Sequence, residues 1–157
     1  MSDYDPDGRV NLHGFTGSLA VYVAASGALV ALGRQAGDQL PDRFDPLDLL
    51  AGGVATHKFT RLLTKGAVTS PVRAPFTTFE EPAGSSEHVE SPRDDSTVRH
   101  TVGELLTCPF CLGVWVGTAY VAGLAFAPRL ARAWAALGTI TAVSDFLQHG
   151  YARVRTD

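Results

Sequence analysis

An all-α fold, an integral membrane helical bundle, is the class that this sequence predicts. Two stretches without a charged residue carry the prediction, at residues 15–33 and 105–127. Each is close to the ~20 apolar residues that a helix needs to cross a hydrocarbon core of about 30 Å. The sequence also lacks the apolar–polar alternation that predicts strands. We therefore expect a polar N-terminal tail at residues 1–14 and a single membrane-embedded helical domain at residues 15–157.

The overall composition excludes one large class of partner. The formal net charge is −3, and the 13 lysines and arginines are scattered along the chain. No basic run is interleaved with aromatic residues, so we predict no nucleic-acid partner. The acidic N-terminus is the opposite of a secretory signal, so the first apolar run is interpreted as a retained anchor.

The first predicted helix covers residues 15–33. Ala20, Ala24 and Ala28 recur at every fourth position, which places them on one helix face. A face of small residues lets a neighbouring backbone approach closely within a membrane. We interpret this face as a helix-packing surface.

The second predicted helix begins at Asp45-Pro46 and ends near Lys65. Asp45 suits the N-cap and Pro46 the first helical position, while Gly66 is a typical helix terminator. Several charged residues lie among its leucines, so the helix either crosses the membrane or lies in the interface. We favour a crossing, which gives four transmembrane helices in all.

The segment between this helix and the cysteine pair predicts little regular structure. Ser70-Pro71 and Ala74-Pro75 indicate an extended, turn-rich connection over residues 69–79. Residues 80–100 are rich in Glu, Ser, Pro, Asp and Arg and have little apolar surface. This composition predicts a disordered loop at about 80–100.

Two further helices close the chain. The third spans residues 112–127 and contains Gly113-x-x-x-Gly117, a close-packing pattern of apolar helices. Pro128 interrupts the chain, and the last helix is expected over residues 130–149. We therefore predict three clear transmembrane helices and the fourth, more polar one at residues 45–65.

The distribution of basic residues predicts the orientation. The segment from the second helix to the cysteine pair carries more Lys and Arg than the other connections, and such segments stay in the cytoplasm. We therefore expect a multi-pass protein of the cell membrane with a cytoplasmic central loop. With four spans, polar side chains of three helices gather near the cytoplasmic surface. The candidates for this polar layer are His57, Lys58, Arg61, Glu104, Asp145 and His149.

Cys108 and Cys111, the two cysteines of the chain, allow three interpretations. As thiolates they supply half of a metal site, and His57, His149, Asp145 or Glu104 could complete a site for zinc or another thiolate-bound metal. If Cys108 caps the third helix and Pro109 takes its first helical position, both thiols lie at the positive end of that helix, which suits thiol–disulfide redox chemistry. The third interpretation is structural, with both thiols reduced and packed at the start of the helix.

The sequence lacks the short motifs of common enzyme classes, so we lean towards a non-enzymatic function. Two stretches nevertheless resemble a known family. They are Ala55-Thr-His-Lys-Phe-Thr-Arg-Leu-Leu-Thr-Lys65, with the proline-containing segment after it, and Gly103-Glu-Leu-Leu-Thr-Cys-Pro-Phe-Cys-Leu-Gly-Val-Trp115. They resemble the small bacterial and phage membrane-protein family catalogued as domain of unknown function 1360. The resemblance implies a small multi-pass membrane protein without an assigned activity. It highlights His57, Lys58, Arg61, Lys65, Arg73, Glu104, Cys108 and Cys111.

The leading functional hypothesis is an accessory or scaffold component of a membrane. Its partners would be the lipid bilayer and either another membrane protein or a second copy of the chain, held through Gly113 and Gly117. The alternative hypothesis is a metal-binding or thiol-redox membrane protein that uses Cys108 and Cys111.

Overall fold

The computed structural model describes residues 4–7, 10–37 and 41–155. Within them lie six α-helices, one short 3₁₀ turn and one β-hairpin. In chain order the elements are α1 (Leu12–Ala36), α2 (Pro46–Lys65), a 3₁₀ turn (Ala67–Thr69), α3 (Ser70–Arg73), β1 (Thr77–Pro82), β2 (His88–Pro92), α4 (Thr97–Thr107), α5 (Pro109–Phe126) and α6 (Pro128–Arg155).

The predicted starts of α2 and α5 are confirmed. The Asp45 carboxylate accepts a hydrogen bond from the Leu47 N–H at 2.7 Å, and Pro46 occupies the first helical position. At the start of α5, Cys108 is the N-cap and its Sγ accepts from the Cys111 N–H at 3.2 Å. Both helices therefore begin where an acceptor side chain followed by proline leaves few N–H groups without partners.

Helices α2, α5 and α6 form the core of the molecule. A Cβ atom added at Gly138 of α6 would lie 2.6 Å from Ala55 Cβ on α2, so these two helices touch almost backbone to backbone. One turn earlier on the same face of α2, Gly52 leaves room for the Tyr120 ring of α5, whose hydroxyl donates to the Asp48 carbonyl at 2.8 Å. Small residues thus set the close spacing of the three helices.

The long helices alternate in direction. Ion pairs join Asp48 to Arg132 near the starts of α2 and α6 and Lys58 to Asp145 further along both, so these helices run in the same direction. Helix α5 runs opposite to them, because Tyr120, late in α5, contacts Gly52, early in α2.

Helix α1 lies along α5 and runs in the same direction. Asn11, just before α1, bonds to Thr101 of α4, the helix that precedes α5, and Tyr22 bonds to Thr118 at 2.7 Å further along α5. Gly33, near the end of α1, contacts the Phe126 ring at the end of α5. The start of α1, the end of α2 and the start of α5 therefore lie at one end of the bundle. Residues 66–107 cover that end, and we call them the polar cap.

The structure corrects the prediction for the polar cap. Residues 80–100 were expected to be disordered, yet they contain most of an antiparallel hairpin and the start of α4. Residues 69–79 were expected to be extended and turn-rich, yet they begin with the last residue of the 3₁₀ turn and the short helix α3. The prediction failed because it counted apolar surface, whereas buried ionic and hydrogen bonds hold this region. The hairpin also means that the fold is mostly helical rather than all-α.

The structure supports fewer membrane spans than the sequence predicted. Two of the described helices are long and apolar enough to cross a membrane, Leu12–Gln35 and Pro109–Phe126. Helices α2 and α6 have sufficient length, at 20 and 28 residues, but they carry charged residues along their course. The division into a tail at 1–14 and one domain stays a prediction. Part of that tail, at residues 1–3 and 8–9, lies outside the described residues.

Candidate functional site in the polar cap

A buried ion pair lies at the centre of the polar cap. The Arg73 side chain is fully buried, and the Glu90 side chain is 4% exposed. The Arg73 Nε donates to Glu90 Oε2 at 2.9 Å and its Nη2 donates to Oε1 at 2.5 Å. This two-point geometry is the strongest arrangement of an arginine and a carboxylate. It attaches strand β2 to the short helix α3.

The remaining donors of Arg73 reach back to the end of α2. Its Nη1 donates to the carbonyls of Leu63 and Gly66, at 2.8 and 3.0 Å, and to Thr69 Oγ1 at 2.7 Å. Carbonyls in the last turn of a helix have no partner within the helix. Arg73 therefore satisfies these groups and joins the end of α2, the 3₁₀ turn and the hairpin.

Glu90 is surrounded by further polar groups. Thr77 Oγ1 donates to Glu90 Oε2 at 2.7 Å, and the His88 Nδ1 lies 3.9 Å from Oε1. Burial alone would raise the pKa of the Glu90 carboxyl, but the hydrogen bonds from Arg73 and Thr77 and the Arg73 charge outweigh burial and lower it. Glu90 is therefore ionised at neutral pH, and the cluster is an internal brace rather than an open reactive site.

The predicted polar-layer residues fall into separate pairs. Lys58 pairs with Asp145 across α2 and α6, and Arg61 pairs with Glu87 of the hairpin turn through two bonds of 2.7 and 2.8 Å. Glu104 accepts a hydrogen bond from the Asn11 amide at 2.7 Å. These residues therefore make local contacts between neighbouring elements, and their gathering in one layer near the cytoplasmic surface stays a prediction.

The two histidines proposed as metal ligands are both exposed. His57 lies on α2 and His149 near the end of α6. Within residues 4–7, 10–37 and 41–155, no three His, Cys, Asp or Glu side chains form a group that could hold a metal ion. The metal assignment to Cys108, Cys111, His57 and His149 therefore stays a prediction.

The cysteine pair differs from the structural interpretation, which expected reduced thiols. Cys108 and Cys111 form a disulfide at the start of α5. A thiolate metal site at these residues would require reduction of that bond. Phe110, between the two cysteines, is 88% exposed, so this turn lies on the surface of the described chain.

The two glycines predicted to pack helices have room for a side chain in the described part of the protein. A Cβ atom added at Gly113 or Gly117 would meet nothing within 4 Å. By contrast, Gly52 and Gly138 contact neighbouring helices closely, although the sequence analysis did not single them out. The close-packing motif of α5 is therefore open, and other glycines hold the bundle together.

Sequence reasoning missed the partners that matter most in the cap. Thr77 lay in a segment interpreted as an extended connection, and Glu90 lay in the loop predicted to be disordered. A signal was present, because Thr77, Phe79 and Val89 flank a Gly-Ser-Ser turn at residues 84–86. Runs of β-branched and aromatic residues on both sides of such a turn indicate a hairpin.

Comparison with known proteins identifies the family. The sequence profile described as Protein of unknown function (DUF1360) matches residues 51–151. This chain belongs to the DUF1360 family. No curated protein and no solved structure matches it. The DUF1360 match covers the bundle from α2 to most of α6, including the polar cap, and begins after α1.

Proposed function

We propose that this DUF1360 protein is a multi-pass membrane protein with four crossings and a cytoplasmic polar cap. In this proposal it serves as a non-enzymatic accessory or scaffold component. The observation that carries the proposal is the apolar outer surface of the long helices. Among the exposed large side chains are Leu19, Val23 and Leu32 of α1, Leu47 and Leu50 of α2, Phe110 and Val114 of α5, and Leu137, Ile140, Phe146 and Leu147 of α6. Monomeric soluble proteins rarely expose apolar surface on this scale.

The directions of the helices support four crossings. Helices α1 and α5 run away from the polar cap, whereas α2 and α6 run towards it. Four consecutive crossings place both chain ends and the central connection on one side. The basic residues of that connection favour the cytoplasm for this side.

The charges in α2 and α6 are compatible with crossing, because those facing each other are paired. Asp48 bonds to Arg132 near one end of the helices, and Lys58 bonds to Asp145 near the other. The two pairs are separated by about 20 Å along α6, at ~1.5 Å per residue. Pairing reduces the cost of ionisable groups in a membrane, and long side chains can extend towards the headgroups.

The topology can be tested with single cysteines on a Cys108→Ser, Cys111→Ser background. Ser85→Cys places a thiol at the tip of the hairpin, and Asp42→Cys places one in the connection before α2, where both native residues are exposed. We expect a membrane-impermeant thiol reagent to label the cysteine at position 42 in intact cells and the one at position 85 only after lysis. Labelling of position 85 in intact cells would contradict the proposed orientation.

The open face of α5 supports the proposed scaffold role. Gly113 and Gly117 leave open space on a helix that has the length and composition of a membrane span. Small residues four positions apart permit the close approach of a second helix, from a second copy or another membrane protein.

Association can be tested by cross-linking in native membranes. We expect the Gly113→Leu, Gly117→Leu double variant to lose its cross-linked partner by roughly tenfold, which corresponds to about 1.4 kcal/mol of association energy. Gly53→Leu is the matched control, because Gly53 lies on α2 and also faces open space. Equal cross-linking of wild type and the double variant, or equal loss in the control, would refute this role for the α5 face.

A further inference from the structure

An apolar groove lies between α5 and α6, and we call it the α5–α6 groove. Its volume is about 310 Å³, at the lower end of the range of small-molecule sites in proteins. Small and aliphatic side chains of α5 and α6 line it together with three aromatic rings, those of Phe59, Tyr120 and Trp134. In the described part of the chain its lining contains no charged residue, so the groove suits an apolar ligand.

Contacts between the three rings hold the aromatic wall of the groove in place. The Trp134 ring centroid lies 5.6 Å from that of Phe59, edge to face, and 5.5 Å from that of Tyr120. Tyr120 is buried, and its hydroxyl is bonded to the Asp48 carbonyl. A ligand therefore meets a surface that is already formed, which limits the conformational entropy lost on binding.

Helices α5 and α6 cannot close the groove by moving together. Ala127 alone separates them in the chain, and a Cβ atom added at Gly123 would lie 3.2 Å from Ala131 Cβ. The two helices are therefore already in contact beside their junction. Apolar space without an occupant leaves the lining atoms without dispersion contacts. An apolar ligand would supply the contacts that the lining lacks.

The groove runs along the helices. Val116 and Gly123 both line it, and they are separated by about 10 Å along α5, at ~1.5 Å per residue. Its Gly123 end lies near the helix ends that point away from the polar cap, and its Val116 end lies near the middle of α5. If α5 and α6 cross the membrane, the groove extends from the headgroup level into the hydrocarbon core, as a lipid acyl chain does.

A cation lies beside the headgroup end of the groove. Arg129 is exposed in the first turn of α6, next to Leu130 of the lining. Among the described residues no hydrogen bond or ion pair engages its side chain, whereas Arg132 is bonded to Asp48. Arg129 can therefore bind an added anion, and the guanidinium geometry suits a phosphate.

We propose that the α5–α6 groove binds one acyl chain of an anionic phospholipid, with its phosphate at Arg129. The apolar lining recognises the chain, and the charge complementarity at the end of the groove selects the headgroup. This inference rests on the proposed membrane crossings of α5 and α6. The thiol labelling of positions 42 and 85 tests those crossings separately. The site uses neither Gly113 nor Gly117.

The test uses Trp134 as a reporter inside the groove. Trp115 and Trp134 are the two tryptophans of the chain, so Trp115→Phe leaves Trp134 as the sole emitter. The detergent-purified full-length protein is titrated with phosphatidylglycerol whose acyl chains carry bromine, which quenches tryptophan fluorescence on contact. We expect quenching to saturate at about one lipid per chain. Arg129→Gln should weaken binding about fivefold, as expected for one arginine at an anionic headgroup.

Val116→Phe, on the same background, fills the groove and should abolish the saturable quenching. Val114→Phe is the matched control, because Val114 lies two positions away on α5, is 55% exposed and does not line the groove. Quenching that never saturates and is equal in Val116→Phe would show contact with bulk lipid only and would overturn the proposal. Equal affinity for brominated phosphatidylglycerol and phosphatidylcholine, unchanged in Arg129→Gln, would also overturn it. Either failure alongside the expected thiol labelling would remove the lipid site and leave the proposed topology intact.

Discussion

Arg73→Ala is expected to unfold the hairpin of the polar cap while leaving α2, α5 and α6 assembled. The variant leaves the Glu90 carboxylate buried without its counter-ion and the Leu63 and Gly66 carbonyls without their donor. Removing one partner of a buried ion pair costs about 3–5 kcal/mol. This exceeds what the remaining strand contacts of a two-stranded hairpin can supply, since isolated hairpins are marginal in water.

Amide hydrogen exchange measures this effect segment by segment. In Arg73→Ala we expect protection to fall in residues 77–92 and to persist in α5 and α6. Arg61→Ala is the matched control, because Arg61 also pairs with a hairpin glutamate but its side chain is 53% exposed. An exposed pair contributes about 0–1 kcal/mol, so its hairpin should exchange almost like wild type. Equal protection in Arg73→Ala and wild type would show that the brace does not hold the cap.

Gly138→Leu is expected to disrupt the three-helix core. The added Cβ alone would lie 2.6 Å from Ala55 Cβ and 2.8 Å from Ala55 Cα, and Ala55 is fully buried. A clash with a helix backbone cannot be relieved by a rotamer change, so α2 and α6 must separate. Overpacking typically costs about 1–3 kcal/mol, and this variant should lie at or above the upper end.

Thermal unfolding in detergent measures the loss, with the Gly113→Leu, Gly117→Leu variant as the contrast. That variant changes two glycines of α5 that face open space, so its midpoint should match wild type even though association is lost. Gly138→Leu should instead lower the midpoint strongly. If Gly138→Leu were as stable as wild type, α2 and α6 would not be in the close contact described above.

The two glycine experiments separate folding from association. Among the described residues, a Cβ atom added at either glycine of the predicted α5 motif would meet nothing within 4 Å, whereas Gly52 and Gly138 pack against neighbouring helices. Each class of glycine therefore has its own measurable consequence. Loss of association without loss of stability in the α5 variant would show that the bundle folds as a single chain and uses the α5 face to bind a partner.

Some elements could be predicted from the sequence because they depend on neighbouring residues. The start of α2 follows from an acceptor side chain before proline, and the start of α5 from the same arrangement with Cys108 as the cap. The apolar runs predicted α1 and α5, because length and apolar composition are properties of one continuous segment of the chain. The resemblance of two motifs predicted the family, which the match over residues 51–151 shows.

The functional candidates depended on contacts that no local pattern contains. Arg73 meets Glu90 across 17 positions, and Asn11 meets Glu104 across 93. His100 lies 2.7 Å from Asp94 and 3.7 Å from Glu104, and the sequence shows these residues only as polar positions in or just after a segment predicted to be disordered. The prediction of disorder rested on the small number of apolar residues, and composition does not show which polar side chains form buried ion pairs and hydrogen bonds.

The sequence by itself determined the long apolar helices, their caps and the family, because helix formation and bilayer-length apolarity depend on residues close together in the chain. Only the tertiary structure decided that the polar segment folds, which glycines pack, and that the cysteines are joined by a disulfide. It also decided that His100 faces Glu104. These features depend on contacts between residues that are distant in the sequence. An ion pair or a close helix contact stabilises the protein only after folding has brought the two partners together.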